Sequence, residues 1–171
     1  MKPGMFLAAL GAGALGLIAC SHTMPVSGAA NPAESVSSSA EPRWTTSIQP
    51  AALTHFNVED STRDRGYGSA QWSPGDTPTL SRVNLVFTFG APQRNLSWAI
   101  LFGTCGSASL PLIPISSFPE LEVGAGGRAE VNATLSLEFP TSGTYHVEIY
   151  KDRQGGIESL VGCGNLKYVS G

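Results

Sequence analysis

Apolar and polar residues alternate most clearly in Val83-Asn84-Leu85-Val86-Phe87-Thr88-Phe89, which sets positions 83, 85, 87 and 89 on one face. A two-residue period of this kind is the pattern of a strand with one face in a core and the other in water. Weaker versions run through 97–102, 129–139, 144–150 and 159–168, with shorter ones at 53–58 and 69–72. Turn-rich pieces such as Gly124-Ala125-Gly126-Gly127 and Thr141-Ser142-Gly143 separate them. About seven short strands with a turn signal roughly every ten residues, and no helical period, predict an all-β antiparallel sandwich or barrel.

Two stretches at the N-terminus escape this alternation. Met5 to Ala19 is an unbroken run of apolar and small residues behind a single charge, Lys2. At about 15 residues it falls short of the roughly 20 that span a bilayer, so residues 1–19 read as a signal peptide. The run ends in Leu17-Ile18-Ala19-Cys20, which resembles the lipobox of bacterial lipoproteins. That resemblance implies cleavage before Cys20, lipidation of its thiol and attachment to a membrane through the acyl chains. Ser21 follows the cysteine, which in the sorting rule of such lipoproteins implies the outer membrane. Residues 20–49 are dominated by Ser, Ala, Pro and Glu and read as a disordered tether. As a random coil it would reach roughly 30 Å. The sandwich is then expected over residues 50–171.

Composition narrows the partners. The formal charge is -3, and loss of Lys2 with the signal peptide takes it to -4, which excludes nucleic acid as a partner. Charged residues make up only 13%, while 20 glycines and 12 prolines punctuate the chain in the manner of short strands and turns. Of three cysteines, one is assigned to lipid, leaving Cys105 and Cys163 as an even pair in an oxidising compartment, where one disulfide is expected. Closing a loop of about 58 residues would stabilise the fold by roughly 4 kcal/mol.

Leu96-Ser97-Trp98-Ala99-Ile100-Leu101-Phe102-Gly103-Thr104-Cys105-Gly106, taken with Leu160-Val161-Gly162-Cys163-Gly164-Asn165-Leu166, resembles the copper/zinc superoxide dismutase and chordin-type domains. The resemblance covers roughly residues 50 to 168. It implies a Greek-key β-sandwich in which Cys105 pairs with the cysteine of the Cys163-Gly164 dipeptide. In metal-binding members the strand through Trp98 would carry a His-x-His pair, where this chain has Ala99 and Leu101. A further histidine is expected where Tyr150 stands.

An imidazole-bound copper or zinc ion needs three or four ligands. The expected domain offers only His55 and His146, so metal, cofactor and dismutase chemistry are all expected to be absent. His146 is expected to face solvent beside Glu148, with Tyr145, Val147 and Ile149 turned inward. His55 is expected to be an ordinary strand residue. Ala99 and Leu101 make their strand apolar on both faces. Either the loop Ser107 to Val123, with Leu110-Pro111-Leu112-Ile113-Pro114-Ile115, folds over it, which is the preferred expectation, or an apolar surface is left for a partner. Glu120 and Glu122 read as solvated loop or edge residues. No nucleophile elbow or phosphate-binding glycine loop is present in the sequence, and no catalytic residue is expected. The sequence therefore points to a non-enzymatic cell-envelope lipoprotein that binds an unidentified protein or small molecule or serves a structural role. The alternative is a metal-handling or dismutase-class enzyme that has moved its ligands to His55, His146 and Glu148.

Overall fold

A computed structural model describes residues 40–51, 66–91 and 94–171. They form nine strands: β1 (Arg43–Pro50), β2 (Gly66–Pro74), β3 (Ser81–Phe89), β4 (Arg94–Phe102), β5 (Leu121–Val123), β6 (Arg128–Leu135), β7 (Tyr145–Tyr150), β8 (Leu160–Asn165) and β9 (Lys167–Val169). Helical geometry among the described residues is confined to two single 3-10 turns, Ile115–Ser117 and Ile157–Ser159. No described helix is long and apolar enough to cross a membrane.

The strands pair in the order β5-β4-β7-β8-β1-β2-β3-β6, with β9 on β1, and every named pair is antiparallel. The turn Gly124–Gly127 returns β5 directly to β6 and nearly closes the sheet into a barrel. The connections β3 to β4 and β6 to β7 pass between strands that are not neighbours, which makes the antiparallel topology a Greek key. Cys105 and Cys163 form the one disulfide, with Cα atoms 5.9 Å apart, as the even cysteine pair had implied.

The strand β3 shows why the sequence folds this way. Val83, Leu85, Phe87 and Phe89 are buried, while Arg82 and Asn84 on the alternate positions face solvent. Its partner β2 places Gly66 and Gly68 opposite Phe89 and Phe87. A Cβ on Gly66 would lie 2.0 Å from the Phe87 ring, and one on Gly162 of β8 would lie 3.0 Å from it. Glycine on two strands thus makes room for one aromatic ring that plugs the barrel. Around the other end, Tyr145 meets Trp44 and Trp72 edge-on at 5.2 and 5.6 Å, a favourable arrangement of aromatic quadrupoles.

Several boundaries differ from the sequence reading. The first strand, Arg43–Pro50, lies upstream of residue 50, within the stretch assigned to the tether. Its alternation of Trp44, Thr46 and Ile48 is real, but only Trp44 and Ile48 are strongly apolar, and the Ser/Pro/Glu composition around them masked it. The expected strand at 53–58, with His55, lies outside the described residues. The run 129–139 ends as a strand at Leu135, ahead of Pro140. The last run is broken at Leu166 into β8 and β9. Within the expected covering loop, Leu121–Val123 pairs with β4 as the short strand β5.

Candidate functional site

Strand β7 reads Tyr145-His146-Val147-Glu148-Ile149-Tyr150, and all six residues are buried. Tyr145, Val147 and Ile149 face inward opposite Phe102, Ile100 and Trp98, their register partners on β4; Trp98 and Ile100 are buried with them, while Phe102 at the strand's end is largely exposed. The other face of the same ladder pairs His146 with Leu101, Glu148 with Ala99 and Tyr150 with Ser97. On its far side β7 sets Glu148 opposite Cys163 of β8. A single outer face therefore gathers Ala99, Leu101, His146, Glu148, Tyr150 and Cys163. Apart from the half-buried Cys163 at its margin, it is closed: Ala99 and His146 are 0% exposed, Leu101 and Tyr150 3%, and Glu148 9%.

The cover comes from the loop between β4 and β5. Pro111 bridges to Leu101, and the Leu112 amide donates to the Ile100 carbonyl at 2.9 Å, so the loop lies along β4 like an extra strand. Leu112, Ile113 and Ile115 pack against the buried cluster. Ile115 reaches Tyr150 at Gly155: a Cβ on that glycine would lie 2.7 Å from Ile115 Cδ1 and 3.8 Å from the Tyr150 ring. Gly155 also has φ +68, so no other residue fits this meeting point without strain.

Both ends of the cover are pinned. Near its start, Cys105 is bonded to Cys163, and its amide donates to Asn165 Oδ1 at 2.8 Å. At its end Glu120 accepts from Arg153 Nε at 2.6 Å and from Asn95 Nδ2 at 2.9 Å. The Arg153 hydrogen bond holds the Glu120 carboxyl below the usual carboxylate range. Glu120 is thus a tied residue rather than a freely solvated one.

Beneath the cover sits a polar cluster in an otherwise apolar layer. Tyr150 donates its hydroxyl to Glu148 Oε2 at 2.5 Å. His146 Nε2 stands 3.4 Å from Glu148 Oε1, close enough for an ionic contact, but neither ring nitrogen has a hydrogen-bond partner among the described residues. Burial pushes the Glu148 carboxyl up, but the contacts from His146 and Tyr150 outweigh it and leave the group below its ordinary value. Tyr150 moves the other way: burial first, then the hydrogen bond and charge of Glu148, hold its phenol far above the ordinary range.

The sequence-predicted residues fare differently. Cys105 and Cys163 are joined, and Ala99, Leu101 and Tyr150 converge on one face. Methyl, isobutyl and a phenol committed to Glu148 do not suit an imidazole-held copper or zinc ion, and His146 is the one histidine among the described residues. Cys20 and His55 lie outside the described residues. Of the relocated ligand set, only His146 and Glu148 can be located, and they do meet. The expectation that His146 faces solvent is corrected: it is fully buried. His146 shares its face with Leu101, so a loop that covers one must cover the other. That constraint, together with the period-two polar set His146, Glu148 and Tyr150, is the signal by which the cluster was legible in the sequence. Comparison with protein-family models, with curated proteins and with solved structures finds no match for this chain.

Proposed function

We propose that this chain is a lipoprotein of the bacterial cell envelope whose β-sandwich is a non-catalytic binding or structural module, related to the superoxide dismutase and chordin-type domains but without their metal. In this reading Cys20 carries the lipid and anchors the protein in the outer membrane. The stretch ahead of β1 then holds the sandwich off the lipid surface.

One observation carries the reading. The outer face of β4 and β7, where the resemblance would put copper, is shut under the β4–β5 loop and filled by Ala99, Leu101 and Tyr150. An open coordination position and a path for a small substrate are what metal catalysis needs, and a closed apolar layer supports neither. What such a module binds is a matter for its outer surfaces and loops, since a fold does not name its ligand.

The test is metal content of the disulfide-bonded full chain after exposure to copper and zinc, paired with fatty-acid labelling of the chain and its Cys20→Ser variant in bacterial cells. The expected result is substoichiometric metal and label that disappears with Cys20→Ser. One tightly held copper or zinc ion per chain would overturn the metal-free reading, and unchanged labelling of the variant would overturn the anchor.

A further inference from the structure

A fully buried histidine with neither ring nitrogen in a hydrogen bond among the described residues is costly, because a buried polar atom that gives up water without a replacement donor or acceptor loses its solvation. His146 occupies such a position, and its neighbours give it a chemical meaning. His146 Nε2 lies 3.4 Å from Glu148 Oε1, and Cys163 Sγ lies 4.0 Å from the same oxygen. All three donor atoms fall within 4.8 Å of one another.

Those spacings approach the edges of a metal tetrahedron. With zinc bonds of about 2.0–2.1 Å to nitrogen and oxygen and about 2.3 Å to sulfur, neighbouring ligand atoms stand roughly 3.3–3.6 Å apart. The histidine and glutamate are already at that distance, and the sulfur has to close by about 1 Å. Nitrogen, carboxylate and thiolate together form a donor set that zinc accepts. What withholds the third donor is the bond from Cys163 to Cys105, since a disulfide sulfur carries no thiolate charge. That bond is reachable: both cysteines are half-buried and line an open groove with Thr45, Gln49, Asn165 and Lys167.

We propose that the Cys105–Cys163 disulfide is a redox latch on a zinc site formed by Cys163, His146 and Glu148. The opening step consumes a dithiol. Its two electrons and two protons break the sulfur–sulfur bond, two cysteine thiols form, and the reductant leaves as its own disulfide. One Zn²⁺ then displaces the Cys163 proton to solvent and binds the thiolate, the His146 ring and the Glu148 carboxylate, with a water admitted from the groove beside Cys163 as its fourth ligand. The ligands differ from the degenerate positions Ala99, Leu101 and Tyr150. The inference concerns the reduced chain, whereas the metal-free reading concerns the oxidised one. Metal in the oxidised chain defeats that reading alone, and a reduced chain that takes no metal defeats this inference alone.

The test uses Co²⁺ as a spectroscopic stand-in for zinc, added without oxygen to the full chain before and after reduction by a phosphine. Circular dichroism is recorded on the same samples. The oxidised chain is expected to show no cobalt spectrum. The reduced chain is expected to bind one Co²⁺ with a thiolate charge-transfer band and tetrahedral ligand-field bands, both bleached by one equivalent of Zn²⁺. Cys105→Ser, which frees Cys163 permanently, should bind without reductant. Cys163→Ser should lack the charge-transfer band, and His146→Ala should lose the tetrahedral spectrum. The proposal is overturned if the reduced chain and folded Cys105→Ser both lack the charge-transfer band, or if His146→Ala leaves the spectrum unchanged. A reduced chain that unfolds and is not refolded by Co²⁺ also overturns it, because a site that binds only the folded state must stabilise it.

Discussion

Strands β3 and β7 carry nearly the same kind of sequence and lead opposite lives. Each alternates an inward apolar set with an outward polar one: Val83, Leu85, Phe87 and Phe89 against Arg82 and Asn84 in β3, and Tyr145, Val147 and Ile149 against His146 and Glu148 in β7. In β3 the polar set meets solvent, and Asn84 donates across the ladder to Asn132 at 2.7 Å on the exposed side. In β7 a loop from the neighbouring strand lies over the polar set, so its members can satisfy one another or go unsatisfied. A period of two tells which residues share a face. Whether that face is wet depends on chain that arrives from elsewhere.

Substitutions on matched faces of β3 and β7 should have unequal effects. Phe87→Ala on the inner face of β3 should cost about 3–5 kcal/mol, because it empties a space that Gly66 and Gly162 cannot fill. Urea unfolding measures it, and a loss below about 1 kcal/mol would contradict the plug. On the outer faces the two strands should diverge. Asn84→Ala should stay within about 0.5 kcal/mol of the parent. Glu148→Ala should cost about 1–3 kcal/mol, since it strips the Tyr150 hydroxyl of its acceptor in a dry layer. Equal costs at the two positions would erase the distinction.

Tyr150 gives the same contrast a pH axis. Its phenol titrates above the ordinary value in the folded chain, so above about pH 10 the unfolded chain releases a proton that the folded chain keeps. The unfolded state then binds fewer protons, and stability falls as pH rises, by up to about 1.4 kcal/mol per pH unit, while below that range the contribution is fully present. Tyr150→Phe should flatten this alkaline loss in urea midpoints taken across the range. An unchanged slope would contradict the buried phenol. The smallest expected effect is at the far end of the cover: Arg153→Ala removes one of the two hydrogen bonds that hold Glu120 and should barely shift the unfolding midpoint, yet speed amide exchange at residues 110–120.

Much of the scaffold was readable from the chain. Strand β3 announces itself by its alternation, and the disulfide joins the two cysteines that the count had left as an even pair. The first strand was hidden because Trp44 and Ile48 are its only strongly apolar residues, set among Ser, Pro and Glu. Strand β5 is three residues long, too short for any period to register. The polar cluster was half visible. The apolar loop and the two-sided apolar β4 announced a cover, while His146 was read from its own strand alone, and burial of a strand face is a property of two elements.

Accessibility of His146 tests the closed outer face most directly. Treating the native, disulfide-bonded full chain with diethyl pyrocarbonate and locating the adduct by peptide mass spectrometry should leave His146 unmodified under conditions that modify it completely in the urea-unfolded chain. Modification of His146 at comparable rates in the folded and unfolded chains would show the face to be open and the account wrong.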